Sequence, residues 1–563
     1  MEHRVNPTLQ TKVDSLNNEF FIGEEGTSYG GYYDYCLKYL RMVDQFQENR
    51  IPEIDMAGVH EGIRIPRVGS LKSAGATLLP FYESPYFRGG LDWRNVIPGT
   101  AVPGIIFSQA SKITNSNLAH SKYGGRASEL ELRMSAALAQ LVGYDSRRSA
   151  GIFVAGGTKA NLYGYVLGLR KAFPDSARTG IVSLSEDIRF VNSQAGHFSN
   201  LTNLALLGAG TDRVISVPSN EDGSVDLAML EETLVRLKQE GLVVPTIMLT
   251  VGTTDTFGAD DVRAACELRD GIYADSPRKP HVHADAAIGW AMCFFNEYDF
   301  DENIHGFDES IVRRLRERQD LFRSLRFADS VTLDFHKTGY TPYSASMVLI
   351  RDQDDLQPLT WGTAMFRYFD PKQIEIAPVQ YTLECSRSPE AVFSVAGNML
   401  SFGIEGYQIC LGWAIQVSDY LRDCLDELGH VGIVNRANDG FSTVFRVYRS
   451  GTNGPEELRR ELTDASYRER MMQNSQFSYG LFNFRNARLT VRDPKLDYTR
   501  AATWAGYDRK TEVPAWKAYI LNPRVRYTDV DRFVDSLRSL TVQYEERLAA
   551  ATSRHPARSR VEP

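Results

Sequence analysis

Short apolar runs that end in polar or charged residues recur through the middle of the chain, and helical periodicity follows each of them. Ile152-Phe153-Val154 leads into Ala155-Gly156-Gly157-Thr158, then into a helical stretch from Asn161 to Ala172. Gly180-Ile181-Val182-Ser183-Leu184 and Arg213-Val214-Ile215-Ser216-Val217 predict strands. Asp226 is placed to cap a helix whose apolar face is Leu227, Leu230, Leu234 and Leu237, with Gly241 just past its end. Pro245 to Val251 predicts a buried strand. Short apolar strands joined by helices imply a mostly parallel sheet covered on both faces. Ligands of such sheets collect at the carboxyl ends of the strands, and the polar motifs of this region fall there.

The pattern also divides the chain. Residues 1–95 are irregular, with a Tyr/Gly cluster at 30–35 and several prolines, and predict an arm or cap. Residues 96–355 predict a large α/β domain. From 356 the texture changes: Phe441 to Val447 alternates like an antiparallel strand and Asp529 to Leu548 is amphipathic, so 356–548 predicts a smaller α+β domain. Residues 549–563, with Arg554, Arg558 and Arg560, predict a disordered tail.

Composition narrows the function. The 563 residues are 43% hydrophobic and 24% charged, ordinary values for globular chains. Lys plus Arg number 63 against 71 Asp plus Glu, a net charge of −8, which argues against nucleic-acid binding on a basic surface. No run approaches the roughly 18 apolar residues of a membrane span. Met1-Glu2-His3-Arg4 opens no apolar leader, so a cytoplasmic protein without membrane contact is expected. None of the six cysteines (36, 266, 293, 385, 410, 424) forms a CxxC pair, and buried free thiols are expected.

Two strand ends carry the chemistry. His281-Val282-His283-Ala284-Asp285-Ala286-Ala287 ends an apolar strand in an acid, and Ser330 to Phe335 runs into His336-Lys337. A buried lone carboxylate is costly unless paired, and a lysine becomes a nucleophile only where its surroundings lower its pKa. Pyridoxal phosphate needs both: a lysine for its aldehyde and an acid to keep its ring nitrogen protonated. Other candidates accompany the pair. Gly157 and Thr158 open a helix whose unpaired N–H groups suit a phosphate, although the turn alone also reads as a plain strand-to-helix connection. His197 is a candidate to lie over the ring, against the ordinary reading of a lone histidine as a surface or core residue. Thr253, in Val251-Gly252-Thr253-Thr254, is a candidate for the cofactor's oxygens, and a structural turn is an equal reading. Ala287 is small enough to let a ring pack closely.

The order Gly-Gly-Thr-x-Ala-Asn, Gln-Ala-x-His-x-Ser, Gly-Thr-Thr, His-x-Asp-Ala-Ala and Asp-x-His-Lys resembles the pyridoxal-phosphate-dependent group II amino-acid decarboxylases. His336 to Ala345 resembles the bacterial tyrosine decarboxylases. Ile288-Gly289-Trp290 and Tyr298-Asp299-Phe300 are similar to the valine and methionine branch. The resemblance covers about residues 120–410. It implies the type I, aspartate-aminotransferase-like fold and a homodimer with sites at the subunit interface. It implies that Lys337 bonds the cofactor aldehyde, Asp285 pairs with the ring nitrogen, His197 stacks on the ring, and Gly157, Thr158 and His336 hold the phosphate. Two departures stand out: Lys159 replaces the family's usual Glu, and a charged insert, 309–326, predicts a solvated helix between Asp285 and Lys337. The family's loop tyrosine, which returns a proton to the substrate, aligns with Phe366, and we assign that role to Tyr368, two residues on.

The implied reaction is α-decarboxylation of an L-amino acid to an amine. No second acid or arginine clamp marks a charged side chain, so a hydrophobic substrate, aliphatic or aromatic, is expected. Arg387, Arg446 and Lys517 are candidates for the substrate carboxylate, with structural salt bridges as the alternative. Phenylalanine at the loop position leaves oxidative decarboxylation to an aldehyde as a second reading. A lyase or desulfinase and a non-catalytic cofactor-binding scaffold are further ones.

Overall fold

The computed structural model describes residues 71–78, 90–184, 186–360, 376–436, 440–490, 492–500 and 504–554, with single positions at 38, 41 and 63. The chain divides into two compact units, Met1–Phe87 and Arg88–Pro563. Among its described residues the first unit forms one longer helix, α1 (Leu71–Leu78). The break falls earlier than the expected 95 because Trp93 is fully buried in a hydrophobic core of the second unit.

In the second unit the alternation of strand and helix builds one large sheet. Its strands are β1 (Ala150–Val154), β2 (Phe190–Ser193), β3 (Val214–Val217), β4 (Thr246–Thr250), β5 (His281–Asp285), β6 (Ser330–Asp334) and β7 (Ser346–Ile350). They lie in the order β1-β7-β6-β5-β4-β2-β3. The pairs from β3 through β6 are parallel, and β7 runs antiparallel between β6 and β1. Every residue of β4, β5, β6 and β7 is buried, which is why these strands read as continuous runs rather than alternating ones. The mostly parallel sheet expected from the sequence is present.

The helices of this region are α2 (Val102–Thr114), α3 (Arg126–Val142), α4 (Gly157–Ala172), α5 (Ser199–Leu206), α6 (Leu227–Gln239), α7 (Val262–Ile272) and α8 (Glu309–Arg323). Asp226 caps α6 as expected, accepting from the N–H groups of Ala228 and Met229. The charged insert is α8, and it is amphipathic rather than wholly solvated, burying Ile311, Leu315 and Phe322. One expected strand is absent: Ile181–Ser183 form a short 3-10 turn with Val182 exposed, and the strand is β2 instead. The apolar triplet follows Gly180, whose φ of 77° turns the chain before a strand can start.

The smaller domain has a four-stranded antiparallel sheet, β10-β11-β9-β8, from β8 (Val431–Ile433), β9 (Ser442–Val447), β10 (Asp497–Thr499) and β11 (Ala515–Tyr519). Its helices include α9 (Glu390–Asp426), α10 (Gly454–Thr463), α11 (Arg468–Asn486) and α12 (Tyr527–Arg554). Helix α9 is broken at Gly403 (φ 63°, ψ −174°). Its Val392, Leu411 and Ile415 belong to the large core, and its Val417, Leu421 and Leu425 to the core of the small domain. The one continuous element thus passes from the large core to the small one between Ile415 and Val417, well beyond the boundary expected near 356. Ala549 to Arg554 continue α12 rather than starting a disordered tail. Cys266 and Cys293 are buried as expected, but Cys385 is exposed, and Cys410 and Cys424 are half-buried. Cys36 lies outside the described residues. No described helix is long and apolar enough to cross a membrane.

Candidate functional site

Strands β4, β5 and β6 are neighbours, and they end at Thr250, Asp285 and Asp334. With the turn between β1 and α4 they border a cleft of about 280 Å³. Gly157, Thr158, His197, Asp285, His336 and Lys337 all line it, and so does Ala287. The structure therefore brings together seven of the expected site residues on the carboxyl edge of the sheet.

Lys337 follows β6 in the turn after Asp334, and its Nζ lies 2.9 Å from Asp334 Oδ2. Burial works against its charge, but Asp334 and Asp285 outweigh burial and hold the ammonium above the ordinary lysine range. This is the reverse of the lowering expected of a nucleophilic lysine, because two carboxylates and, among the described residues, no cation stand beside it. Asp285, 4% exposed, accepts from Asn161 Nδ2 at 2.7 Å on one oxygen and from the Ala287 N–H at 3.2 Å on the other. His197 takes the Ser199 N–H on Nδ1 at 3.2 Å, with Ser199 Oγ 2.8 Å from the same nitrogen. Its ring proton therefore belongs on Nε2. Burial lowers its pKa, with Asp285 opposing and Lys337 reinforcing the effect. His336 Nδ1 lies 2.9 Å from the Ala345 carbonyl, to which it donates, and burial lowers its pKa too.

Gly156 takes a φ of 93°, and α4 begins at the next residue. A Cβ at Gly157 would stand 2.7 Å from Asp334 Oδ2, so the Asp334 carboxylate lies against the first turn of α4. The unpaired N–H groups there favour an anion. Asp334 is 2% exposed and also accepts from Ser346 Oγ at 2.6 Å. Burial opposes its charge, yet Lys337, His336 and Ser346 hold its pKa below the usual range. Asp334 and Asn161 were not among the expected site residues. Their signal lay inside the motifs already read, Asp-x-His-Lys and Gly-Gly-Thr-x-Ala-Asn.

Other expectations resolve differently. Thr253 is committed to its own turn: its hydroxyl meets Thr256 Oγ1 at 3.0 Å and accepts from the Gly258 N–H at 2.8 Å. Thr250 and Thr254 line the cleft instead. Arg387 is buried against Glu131, with Nη1 at 2.6 Å and Nη2 at 3.0 Å from its two oxygens. Arg446 pairs with buried Glu461 at 2.8 Å, and Lys517 with Asp255 at 2.6 Å. All three cations form the salt bridges of their alternative reading, and Arg387 also lines a cavity beside the cleft. Lys159, the departure from the family pattern, pairs with Glu384 at 2.6 Å. Phe366 and Tyr368 lie outside the described residues.

The donors present suit pyridoxal phosphate. Its aldehyde, pyridine nitrogen, phosphate and ring face each have a counterpart in Lys337, Asp285, the start of α4 and His197. Thr250 Oγ1 is buried at the cleft and has no hydrogen-bond partner among the described residues, a hydroxyl in want of a polar ligand.

A family model described as the pyridoxal-dependent decarboxylase conserved domain matches residues 97–447. The L-2,4-diaminobutyrate decarboxylase of Acinetobacter baumannii is 28% identical over 267 residues, 45% of this chain and 47% of its own length. The chain thus spans about half of that relative. The L-tyrosine decarboxylase of Enterococcus faecium is 23% identical over 484 residues, 72% of this chain and 77% of that protein. Among solved structures, mouse CSAD superposes with a TM-score of 0.72 at 17% identity, over 91% of this chain and 98% of that one.

Proposed function

The chain belongs to the pyridoxal-dependent decarboxylase family, and from that premise we propose that it removes the α-carboxyl group of an L-amino acid, releasing carbon dioxide and the amine. The observation that carries this reading is a lysine and a buried carboxylate facing one cleft, near enough for Asp285 to raise the pKa of Lys337. Bound pyridoxal phosphate supplies an aldehyde carbon that takes up an amine and a ring that accepts the electron pair left behind by carbon dioxide. Lys337 provides the amine that holds the cofactor. Asp285 would face its ring nitrogen, His197 would cover the ring, and Ala287 would leave it room. Gly157, Thr158 and His336 would hold the phosphate. His197 Nε2 carries a proton available to the substrate Cα, and Tyr368, assigned to the loop-tyrosine role in place of the aligned Phe366, is the alternative donor.

We keep the hydrophobic substrate. Among the described residues of the cleft, the charged groups are already engaged, Asp285 and Lys337 with the cofactor and Asp334 with Lys337. Ile288 and Tyr343 add apolar wall. One observation favours a second reading, a cationic side chain such as the diaminobutyrate of the relative's name. An adjoining cavity shares Tyr343 and Ser344 with the cleft and is lined by Glu384, whose Oε2 is buried without a hydrogen-bond partner among the described residues. Purified protein with pyridoxal phosphate and single L-amino acids decides between them, scored for carbon dioxide, amine and peroxide. Faster release of carbon dioxide from aliphatic or aromatic amino acids, without peroxide, is expected. Preference for diaminobutyrate that Glu384→Gln removes would establish the second reading. Aldehyde with ammonia and peroxide would replace decarboxylation by its oxidative form.

We also propose a homodimer. Helices α2 and α9 pack together, with Phe107 lying over Gly397, where a Cβ would stand 2.4 Å from its ring. Together they leave Val102, Ile105, Ile106, Leu400 and Ile404 exposed. Apolar surface of this kind marks an association site. Sedimentation should give twice the 63.3 kDa chain mass, and a monomer at micromolar concentration would overturn the dimer.

A further inference from the structure

Beneath the cleft, a row of buried polar side chains leads away from Asp285. His281, His283 and Asp285 share one face of β5, and Ser330 and Thr332 share the same face of β6, because side chains alternate along a strand. Asn161 reaches them from α4, where Gly164 permits the close approach: a Cβ there would meet the His283 ring at 2.4 Å.

The contacts are continuous. Asn161 Nδ2 lies 2.7 Å from Asp285 Oδ2 and 3.1 Å from Asn200 Oδ1. Asn161 Oδ1 lies 2.7 Å from Thr332 Oγ1 and 3.2 Å from His283 Nε2, and the last two are 3.0 Å apart. Ser330 Oγ sits 2.7 Å from both His283 Nδ1 and His281 Nε2.

Hydrogen-bond chemistry gives this row one direction. Asn161 cannot be reversed, because its carbonyl oxygen would then face the Asp285 carboxylate. Its Oδ1 therefore accepts, and Thr332 has a single hydrogen to give it. Were His283 Nε2 bare, that one hydrogen would have to serve two acceptors, so Nε2 carries a proton. Burial pushes the pKa of His283 down to about 3, so the ring is neutral and its Nδ1 accepts from Ser330. The Ser330 oxygen in turn accepts from His281 Nε2. His281 is neutral for the same reason, its pKa also about 3 through burial. That leaves its Nδ1 bare; this nitrogen has no hydrogen-bond partner among the described residues and lies 3.9 Å from Asp329 Oδ2. The hydrogens between His281 and Asn161 thus point toward Asp285, and of the two on the Asn161 amide one goes to Asp285 and the other to Asn200 Oδ1.

We propose that Asn161 is a positioning residue that acts through Asp285, with Ser330 and His283 setting the direction of its amide so that its donor holds the buried carboxylate aimed at the cofactor's ring nitrogen. The proposal rests on the assignment of Asp285 to that nitrogen. Groups that support metal ligands in this way are worth about 10- to 100-fold when removed, and the same scale is expected here.

Two spectroscopic measurements and one kinetic one test it. In cofactor-free protein with 15N-labelled histidine, long-range 1H–15N correlation should show His283 protonated on Nε2 in the parent and lose that preference in Ser330→Ala. A proton on Nδ1 in the parent would overturn the direction of the row. With pyridoxal phosphate 15N-labelled in its ring, the shift of the bound cofactor should move toward the unprotonated value in Asn161→Ala and Ser330→Ala, and Ser330→Thr should restore it. Turnover should fall about 10- to 100-fold in Asn161→Ala with KM nearly unchanged. Asp285→Asn separates the two ideas. If it leaves the ring shift unmoved, the assignment of Asp285 fails. If it moves the shift while Asn161→Ala and Ser330→Ala do not, the positioning role alone fails. Should Asn161→Ala not fold, Ser330→Ala against Ser330→Thr decides, and equal behaviour of those two refutes the proposal.

Discussion

Lys337→Ala is expected to lose kcat by at least about 10³-fold, the order reached when a catalytic group is removed, and to lose the visible absorbance of lysine-bound cofactor. The lysine stands in a turn that follows a fully buried strand, with Asp334 Oδ2 2.9 Å from its Nζ. Among the described residues, no other lysine lines the cleft. The substitution also has an electrostatic cost apart from chemistry. Asp334 is buried, and without the ammonium its remaining partners are Ser346 Oγ at 2.6 Å and His336 Nε2 at 3.6 Å. Breaking a buried ion pair by removing one member costs about 3–5 kcal/mol, so the cofactor-free variant should melt at a lower temperature. Lys337→Arg separates the two effects. A guanidinium keeps the charge beside Asp334 but stays protonated and cannot bond the aldehyde. It should recover much of the melting temperature and none of the turnover. Colour and turnover retained in both variants would remove Lys337 from the site.

How much of this was legible in the sequence follows from what each residue needs. Asp285 and Lys337 each end an apolar strand in a charge, and a parallel sheet puts neighbouring strand ends on one edge. Local pattern and one topological rule were enough to place them together. Thr253 could not be placed that way. The turn that folds its hydroxyl onto Gly258 N–H also sends Thr254 to the cleft, and the string of letters is the same for either orientation. Strand β2 was hidden because Asn192 and Ser193 make half of it polar; Asn192 is buried with its Oδ1 accepting from Tyr165 at 3.0 Å. Ile181–Ser183 looked more strand-like and is not one. Arg387 and Asn161 show the third limit. Their partners, Glu131 and Asp285, lie 256 and 124 residues away, and nothing local announces either contact. The charge of Arg387 suggested a ligand contact, whereas the fold pairs both of its terminal nitrogens with buried Glu131.

Asp285→Asn should lower kcat by about 10²- to 10³-fold, the range seen when one preorganised electrostatic partner is lost from an active site, while KM changes little. The reason lies in what surrounds the carboxylate. Both of its oxygens accept: Oδ2 from Asn161 Nδ2 at 2.7 Å and Oδ1 from the Ala287 N–H at 3.2 Å. An asparagine has one acceptor and one donor end, so either orientation turns its NH2 toward an N–H that needs an acceptor. The variant therefore loses the negative charge and also loses one hydrogen bond at a buried position, an unsatisfied group worth about 1–3 kcal/mol. With the charge gone, nothing at this position favours a proton on the cofactor's ring nitrogen, and the ring accepts the substrate's electron pair less readily. Cofactor binding should weaken less than turnover, because Lys337, the start of α4 and His336 still hold the other end. Asp285→Glu provides the contrast. It keeps the charge but pushes the carboxylate one methylene into a site closed by Asn161 and the Ala287 backbone, and it should recover the ring-nitrogen proton more fully than kcat. Equal kcat in Asp285→Asn and the parent would show that the charge beneath the cleft serves the fold alone.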